Sequence, residues 1–283
     1  MLPPGDIRNC MVALSEDETL LTRLFQYRFS KGHGLKGHSF GNLFLTAMTR
    51  LTGDFASAVT LSSQVLHVLG RIYPATSAQV SLEATLANGR KVAGETRISR
   101  SRVRIERIAL KPRSPKPLAE TLEAIANADL ITLGPGSLFT SVIPNLLVSG
   151  IPQAIAKSPA LKAYFVNLMS QPGETTNFRA SDHVRAILRH CGRARPMIDV
   201  CVVNTAPLRG RALDKYQAQS AQPVENDVEA LGGLGIDVLA TDLLRMSRAS
   251  PEQKIRHDPG VIGAVALELA QQGRRRKRKL NLL

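Results

Sequence analysis

The run Ala128-Asp129-Leu130-Ile131-Thr132-Leu133 leads straight into Gly134-Pro135-Gly136-Ser137 and then Leu138-Phe139-Thr140-Ser141. A buried strand feeding a glycine-rich turn and a helix start can receive an anion. Glycines allow close backbone approach, and the first amides of a helix lack intrahelical partners. Ser137, Thr140 and Ser141 add hydroxyl donors. The chemistry suggested for Gly134, Pro135, Gly136, Ser137, Thr140 and Ser141 is binding of a phosphate or carboxylate at the carboxyl edge of a sheet. A plain tight turn capped by hydroxyls competes with it. The spacing is neither a Walker loop nor the dinucleotide fingerprint.

A second polar cluster, Asn167-Leu168-Met169-Ser170-Gln171-Pro172-Gly173-Glu174-Thr175, follows another apolar run. Asn167, Gln171, Glu174 and Thr175 would gather at the same edge. Their amides can read polar ligand edges, and the carboxylate can take a ribose hydroxyl or a metal. Hydrogen bonding within the loop is the alternative. In Gly37-His38-Ser39-Phe40-Gly41-Asn42, Ser39 suits a helix N-cap, which leaves His38 and Asn42 one turn apart on one face. Pro3-Pro4-Gly5-Asp6-Ile7-Arg8-Asn9 places an acid, a guanidinium and an amide side by side. Arg8 either pairs with Asp6 or grips a phosphate as a bidentate fork.

Other candidates read as structural. Asp182 or Ser181 caps a helix, with His183 facing a groove or solvent. His67 sits in an apolar helix as a core histidine, and His190 and the His257-Asp258 pair also look structural. Cys10 and Cys201 lie in apolar runs and read as core. No Ser-His-Asp arrangement, activated cysteine or metal-ligand spacing is readable.

The elements that must position these residues change period along the chain. Helices are expected from Asp6 to about Ser15, from Glu18 to Phe29, from Ser39 to Leu51 and from Asp54 to about Leu69. Residues 79–110 alternate apolar and polar and read as an antiparallel β insert. In it Asn88-Gly89 signals a hairpin turn with positive φ at both central positions. Beyond the proline-rich bend 111–117, strands at 129–133, 163–167, 200–204 and 236–240 alternate with helices, including 118–127, 181–191 and 258–272. That alternation predicts an α/β, Rossmann-like three-layer sandwich with a mostly parallel sheet. Residues 1–272 read as a single domain, and 273–283 as a basic disordered tail.

Composition sets the limits. The 283 residues carry a formal net charge of +14, six of it in Arg274-Arg275-Arg276-Lys277-Arg278-Lys279. The run could touch nucleic acid or anionic lipid, or simply be solvated. Nucleic acid is disfavoured because no aromatic residue is interleaved to stack on bases. Three scattered cysteines, no secretory leader and no apolar run of membrane-spanning length point to the cytoplasm.

Five stretches then occur in order: Leu2-Pro3-Pro4-Gly5-Asp6-Ile7-Arg8-Asn9, Gly37-His38-Ser39-Phe40-Gly41-Asn42, Gly134 to Ser141, Ile143-Pro144-Asn145-Leu146 and Gln171-Pro172-Gly173-Glu174-Thr175. Together they resemble the gluconeogenesis factor family, relatives of the 2-phospho-L-lactate transferases, over roughly residues 2 to 270. The resemblance implies a Rossmann-like fold with a nucleotide at the sheet edge. For this branch it implies a UDP-sugar such as UDP-N-acetylglucosamine, and support of cell shape and wall synthesis during gluconeogenic growth. The Gly134–Ser141 turn would meet the phosphates. Asp6, Arg8, Asn9, His38, Asn42, Asn145, Asn167, Gln171 and Glu174 would line the cleft. The family's opening Gly-Gly-Gly-Thr-Gly turn and its Asp-Asp-Gly-Gly-Ser-Ser-Gly stretch would precede Leu2, so the chain is expected to lack the family's first βα segment. Either Met1 is an internal methionine of a longer protein or the chain is truly shortened.

Three functions compete. One is a UDP-sugar-binding regulator. Another is a transferase moving a phospholactyl group from a nucleotide diphosphate donor, with the divalent metal that the related enzymes use. The third is a nucleic-acid or membrane-surface binder acting through the tail. A homo-oligomer is compatible with all three.

Overall fold

Four parallel strands carry the loops that matter most: β4 (Leu130–Leu133), β5 (Leu161–Phe165), β6 (Val200–Asn204) and β7 (Asp237–Thr241), in the order β4-β5-β6-β7. The inner strands β5 and β6 are almost wholly buried, as expected of strands covered on both faces. The computed structural model describes residues 5–16, 20–192, 194–244 and 255–280. The expected starts at Leu2 and Glu18 fall outside these residues. The fold is α/β with a mostly parallel sheet, as the sequence predicts.

The chain divides into two compact units rather than the expected single domain. The first runs up to Val80 and includes Lys116–Thr121; the second comprises Ser81–Pro115 and everything from Leu122. The first unit is helical: α1 (Gly5–Ala13), α2 (Leu20–Gln26), α3 (Phe40–Thr52) and α4 (Phe55–Val65). Met11, Phe25, Leu45, Val59 and Leu66 form its core. Ser39 caps α3, Gly53 ends it at φ 75°, and the Asp54 carboxylate caps α4 by accepting from the Ser57 amide at 2.7 Å. Two core assignments fail here. Cys10 is exposed, because α1 turns Met11 rather than Cys10 inward. His67 is exposed at φ 47°, in the turn that ends α4 four residues before the expected Leu69.

In the second unit the insert is a three-stranded antiparallel sheet, β2-β1-β3, made of β1 (Ser81–Leu86), β2 (Lys91–Ala93) and β3 (Ile105–Lys111), with a short helix α5 (Glu95–Ser99) between β2 and β3. Its hairpin differs from the expected two-residue turn. The Leu86 amide bonds Arg90 O and the Gly89 amide bonds Leu86 O, which makes a three-residue loop. Only Gly89 needs positive φ there, at 78°. The helices that follow are α6 (Ala119–Asn127), α7 (Ile143–Leu146), α8 (Ile151–Lys157), α9 (Ala180–His190), α10 (Arg211–Ala218), α11 (Val228–Gly232) and α12 (Pro259–Leu280). The α9 cap is Arg179 rather than Ser181 or Asp182, and His183 is buried rather than facing a groove or solvent, its Nδ1 3.0 Å from Arg179 O. Asp182 stands three residues inside the helix and accepts from the Arg179 amide at 3.0 Å.

The largest departure is α12. The basic run continues this helix through Leu280 instead of forming a disordered tail from 273. Gly273 is the reason it can. A Cβ there would lie 1.9 Å from Asp129 O, so only glycine lets the helix rest on the amino end of β4. Three cations of the run then find partners. Arg274 Nε donates to Asp129 at 2.9 Å, Lys277 Nζ to Asn127 O at 3.1 Å, and Arg276 pairs with Asp199 at 3.4 Å. Beneath them Lys162 is buried, its amine donating to Ser158 O and Ala160 O. Burial pushes the Lys162 pKa down, and Asp199, 3.8 Å away, opposes that shift. Among the described residues no single helix is long and apolar enough to cross a membrane.

Candidate functional site

The expected site residues fall into two sets, one in each unit. In the first unit, main-chain pairing of Arg28 with Ser39 brings the 37–40 segment against the end of α2. The Arg8 guanidinium lies across the first turn of α3. Its Nη1 donates to Ser39 Oγ at 2.6 Å and its Nη2 to Asn9 Oδ1 at 2.8 Å. Gly41 makes room for it, since a Cβ there would be 2.8 Å from Arg8 Cδ and 2.7 Å from Phe25 O. Burial lowers the Arg8 pKa, Arg28 adds to the shift, and Asp6 partly offsets it. Arg8 Nε and Asn42 Oδ1 are buried without a hydrogen-bond partner. Asp6, Asn9 and His38 are exposed. Arg8, Asn9 and Asn42 thus cluster around the start of α3, and neither bond of the Arg8 fork goes to Asp6.

In the second unit, β4 ends at Leu133 and Gly134 turns the chain at φ 71°. A Cβ on Gly134 would lie 3.1 Å from Phe165 O, so this glycine also permits close approach to the end of β5. Residues Leu138–Val142 then form a π-helical turn, closed by the Val142 amide on Ser137 O and the Ile143 amide on Leu138 O. Such turns are rare and frequent at functional sites. Pro135 is exposed, Gly136, Ser137 and Ser141 are half-buried, and Thr140 is buried.

The 167–175 loop clasps this turn. Asn167 Nδ2 donates to Gly136 O at 2.9 Å, and Gln171 Nε2 donates to Ser137 Oγ at 2.8 Å. Both amides leave their carbonyl oxygens, Asn167 Oδ1 and Gln171 Oε1, buried and without a partner. Buried acceptors of that kind are uncommon in folded proteins and call for an explanation. Glu174 and Thr175 turn inward and support the loop from below. Thr175 Oγ1 accepts from the Gln171 amide at 2.9 Å. Glu174 Oε1 accepts from Ser99 Oγ at 3.2 Å and Thr140 Oγ at 3.4 Å, while its Oε2 is buried and unpaired. Burial raises the Glu174 pKa, and hydrogen bonds from Ser99, the Phe139 amide and Thr140 partly offset the rise. Asn145 is exposed one turn beyond and donates to Ser141 O at 2.7 Å.

A cavity of about 210 Å³ opens beside Asn167 at the carboxyl ends of β5 and β6, with Asn204, Pro223 and Asn226 on its other walls. Asn204 and Asn226 were not singled out from the sequence, although β6, like the run ending at Asn167, finishes in an asparagine. Asn204 is a clamp whose Oδ1 accepts from the Leu243 amide at 3.0 Å and whose main-chain oxygen accepts from Asn226 Nδ2 at 2.6 Å. Among the described residues no three His, Cys, Asp or Glu side chains gather as metal ligands.

A parallel α/β sheet with paired polar loops at its carboxyl edge defines a class, and the chain belongs to the 2-phospho-L-lactate transferase CofD family, whose model matches residues 1–244. The gluconeogenesis factor of Bacillus subtilis is 44% identical over 270 residues, which span 95% of this chain and 83% of that protein. The gluconeogenesis factor of Halalkalibacterium halodurans is 44% identical over 266 residues, 94% of this chain and 81% of that one. A longer relative from Nostoc, 46% identical over 268 residues, is spanned over 58% of its length. The crystal structure of a Bacillus halodurans protein superposes with a TM-score of 0.88 at 43% identity, covering 94% of this chain and 83% of that one.

Proposed function

We propose that the chain is a cytoplasmic gluconeogenesis factor that binds a nucleotide sugar of the UDP-sugar class and regulates cell shape and wall synthesis during gluconeogenic growth. The observation that carries the reading is the clasp of the 134–141 turn by Asn167 and Gln171, with Asn167 Oδ1 and Gln171 Oε1 left without partners beside it. Carbonyl acceptors of this kind suit the hydroxyl and imide donors of a nucleoside. The glycine turn with Ser137 and Ser141 suits its phosphates. Calorimetric titration with UDP-N-acetylglucosamine tests the reading. Saturable binding with the sugar recovered intact is expected, and the absence of saturable binding overturns it.

The family match favours one other reading, a transferase that moves a phospholactyl group from a nucleotide diphosphate donor to an alcohol. A product assay with a deazaflavin acceptor and a divalent metal separates the two. Product formation would replace the regulator by the transferase.

A further inference from the structure

Against Phe139 of the π-helical turn, a cavity of about 370 Å³ lies between β3, the 176–178 segment and α9. Its floor is aromatic. Phe139 and Phe178 meet edge to face with centroids 6.1 Å apart, and His190 packs on Phe139 at 5.9 Å. His190 is a fixed, uncharged wall, because its Nε2 accepts the Ile108 amide at 3.1 Å and its Nδ1 donates to Ala186 O at 2.7 Å.

Arginines form the rim. Arg104 comes from the insert, and Arg185 and Arg189 from successive turns of α9. Arg185 is held in place by Ser181 Oγ at 2.7 Å and Asp182 at 3.4 Å. Among the described residues, neither Arg104 nor Arg189 has a side-chain hydrogen bond or ion pair. A second cavity of about 480 Å³ shares Glu106, Arg189 and His190 with the first and adds Arg107. Four guanidinium groups therefore face Glu106 and Asp182, and Asp182 is already engaged by the Arg179 amide and by Arg185. The surplus is cationic.

Guanidinium forks match phosphate oxygens in pairs, and two unpaired forks over an aromatic floor fit a charged head on a flat body. A volume of about 370 Å³ lies in the range of small-molecule sites and encloses no polymer. We propose that this groove is a second binding site, separate from the sheet-edge loops, for a small phosphate-bearing ligand with a planar apolar portion. The phosphate sits between Arg104 and Arg189, and the planar part lies against Phe178, which Phe139 backs. Thr176, Asn177 and Phe178 follow Thr175 directly, and Phe139 precedes Thr140, so an occupant touches segments continuous with both loops of the first site.

Titration with inorganic pyrophosphate at about 0.15 M salt tests the proposal, since screening at that strength removes loose surface attraction. In the unmodified protein the backbone amides of Asn177, Phe178 and Arg189 are expected to shift in NMR spectra and to saturate together. Arg104→Gln with Arg189→Gln should weaken that transition about tenfold or more. Arg278→Gln with Lys279→Gln removes the same charge from the exposed end of α12 and should leave it unchanged. Shifts confined to residues 134–141 and 167–175 would overturn the proposal, as would equal weakening by both double substitutions or no saturable shift at all. The UDP-sugar reading is measured with a different ligand and different reporters, so either site can fail without the other.

Discussion

Replacing Gly273 by alanine asks whether the basic segment is a docked helix or a solvated end. On helix propensity alone, glycine to alanine within a helix stabilises by about 0.8–1 kcal/mol. The structure predicts the opposite sign. The new Cβ would sit 1.9 Å from Asp129 O, 3.0 Å from its carbonyl carbon and 3.3 Å from Leu161 Cβ. The nearest atoms are backbone, so no side chain can rotate away, and α12 must lift by more than an ångström. Overpacking of this kind costs about 1–3 kcal/mol, and the lift also stretches the Arg274–Asp129 and Arg276–Asp199 contacts. With propensity opposing, a net loss of about 1–2 kcal/mol is expected, read as a fall of about 2–8 °C in Tm. Gly263 supplies the control. It lies in the same helix with open space where its Cβ would go, so Gly263→Ala should be neutral or stabilising. Thermal and urea unfolding of the two variants provide the assay. If Gly273→Ala is as stable as Gly263→Ala, the docking of α12 is wrong.

Three further outcomes follow from the same contacts. Gly173 stands at φ 86° with its would-be Cβ 1.8 Å from Ser101 O, so Gly173→Ala should cost more than about 2 kcal/mol in urea unfolding. Glu174→Gln keeps an acceptor for Ser99 and Thr140 without a buried charge and should change stability by less than about 1 kcal/mol, whereas Glu174→Ala strands both hydroxyls and should cost about 1–3 kcal/mol. Burial lowers the pKa of His183, His190 and His257, so the unfolded chain binds protons more readily than the folded one. Stability from this source is therefore full above about pH 6.5 and is lost as pH falls below it, and His190→Gln should flatten that acid limb in pH-dependent melts.

Much of both units was legible because their signals are local. The apolar runs at β4, β5 and β6, the glycine turn at 134–136 and the Ser39, Gly53 and Asp54 caps each declare themselves within a few residues. What could not be read depends on distant partners. Nothing near Arg274 announces Asp129, which lies 145 positions earlier, so a run of like charges reads as solvated until the packing at Gly273 is seen. The inward turn of Glu174 depends in the same way on Ser99, 75 positions away. The sequence pattern also grouped polar residues at loop ends without separating roles. Asn167 and Gln171 keep free acceptors, whereas Thr175 and one carboxylate oxygen of Glu174 are spent on holding the loop. The hairpin is not legible in detail because Asn-Gly serves two turn types, and loop length, set by the Leu86–Arg90 pairing, selects between them. Cys10 and His67 show the limit of hydrophobic context. Both lie among apolar neighbours, yet helix phase at α1 and the end of α4 turn them outward.

The most direct test of the central claim is calorimetric titration of UDP-N-acetylglucosamine into the unmodified protein and into Gln171→Ala. The clasp predicts saturable binding by the first and affinity lower by about tenfold or more in the second, because a buried acceptor beside the 134–141 turn is lost. No saturable binding by the unmodified protein, or identical affinity in the two, would contradict it.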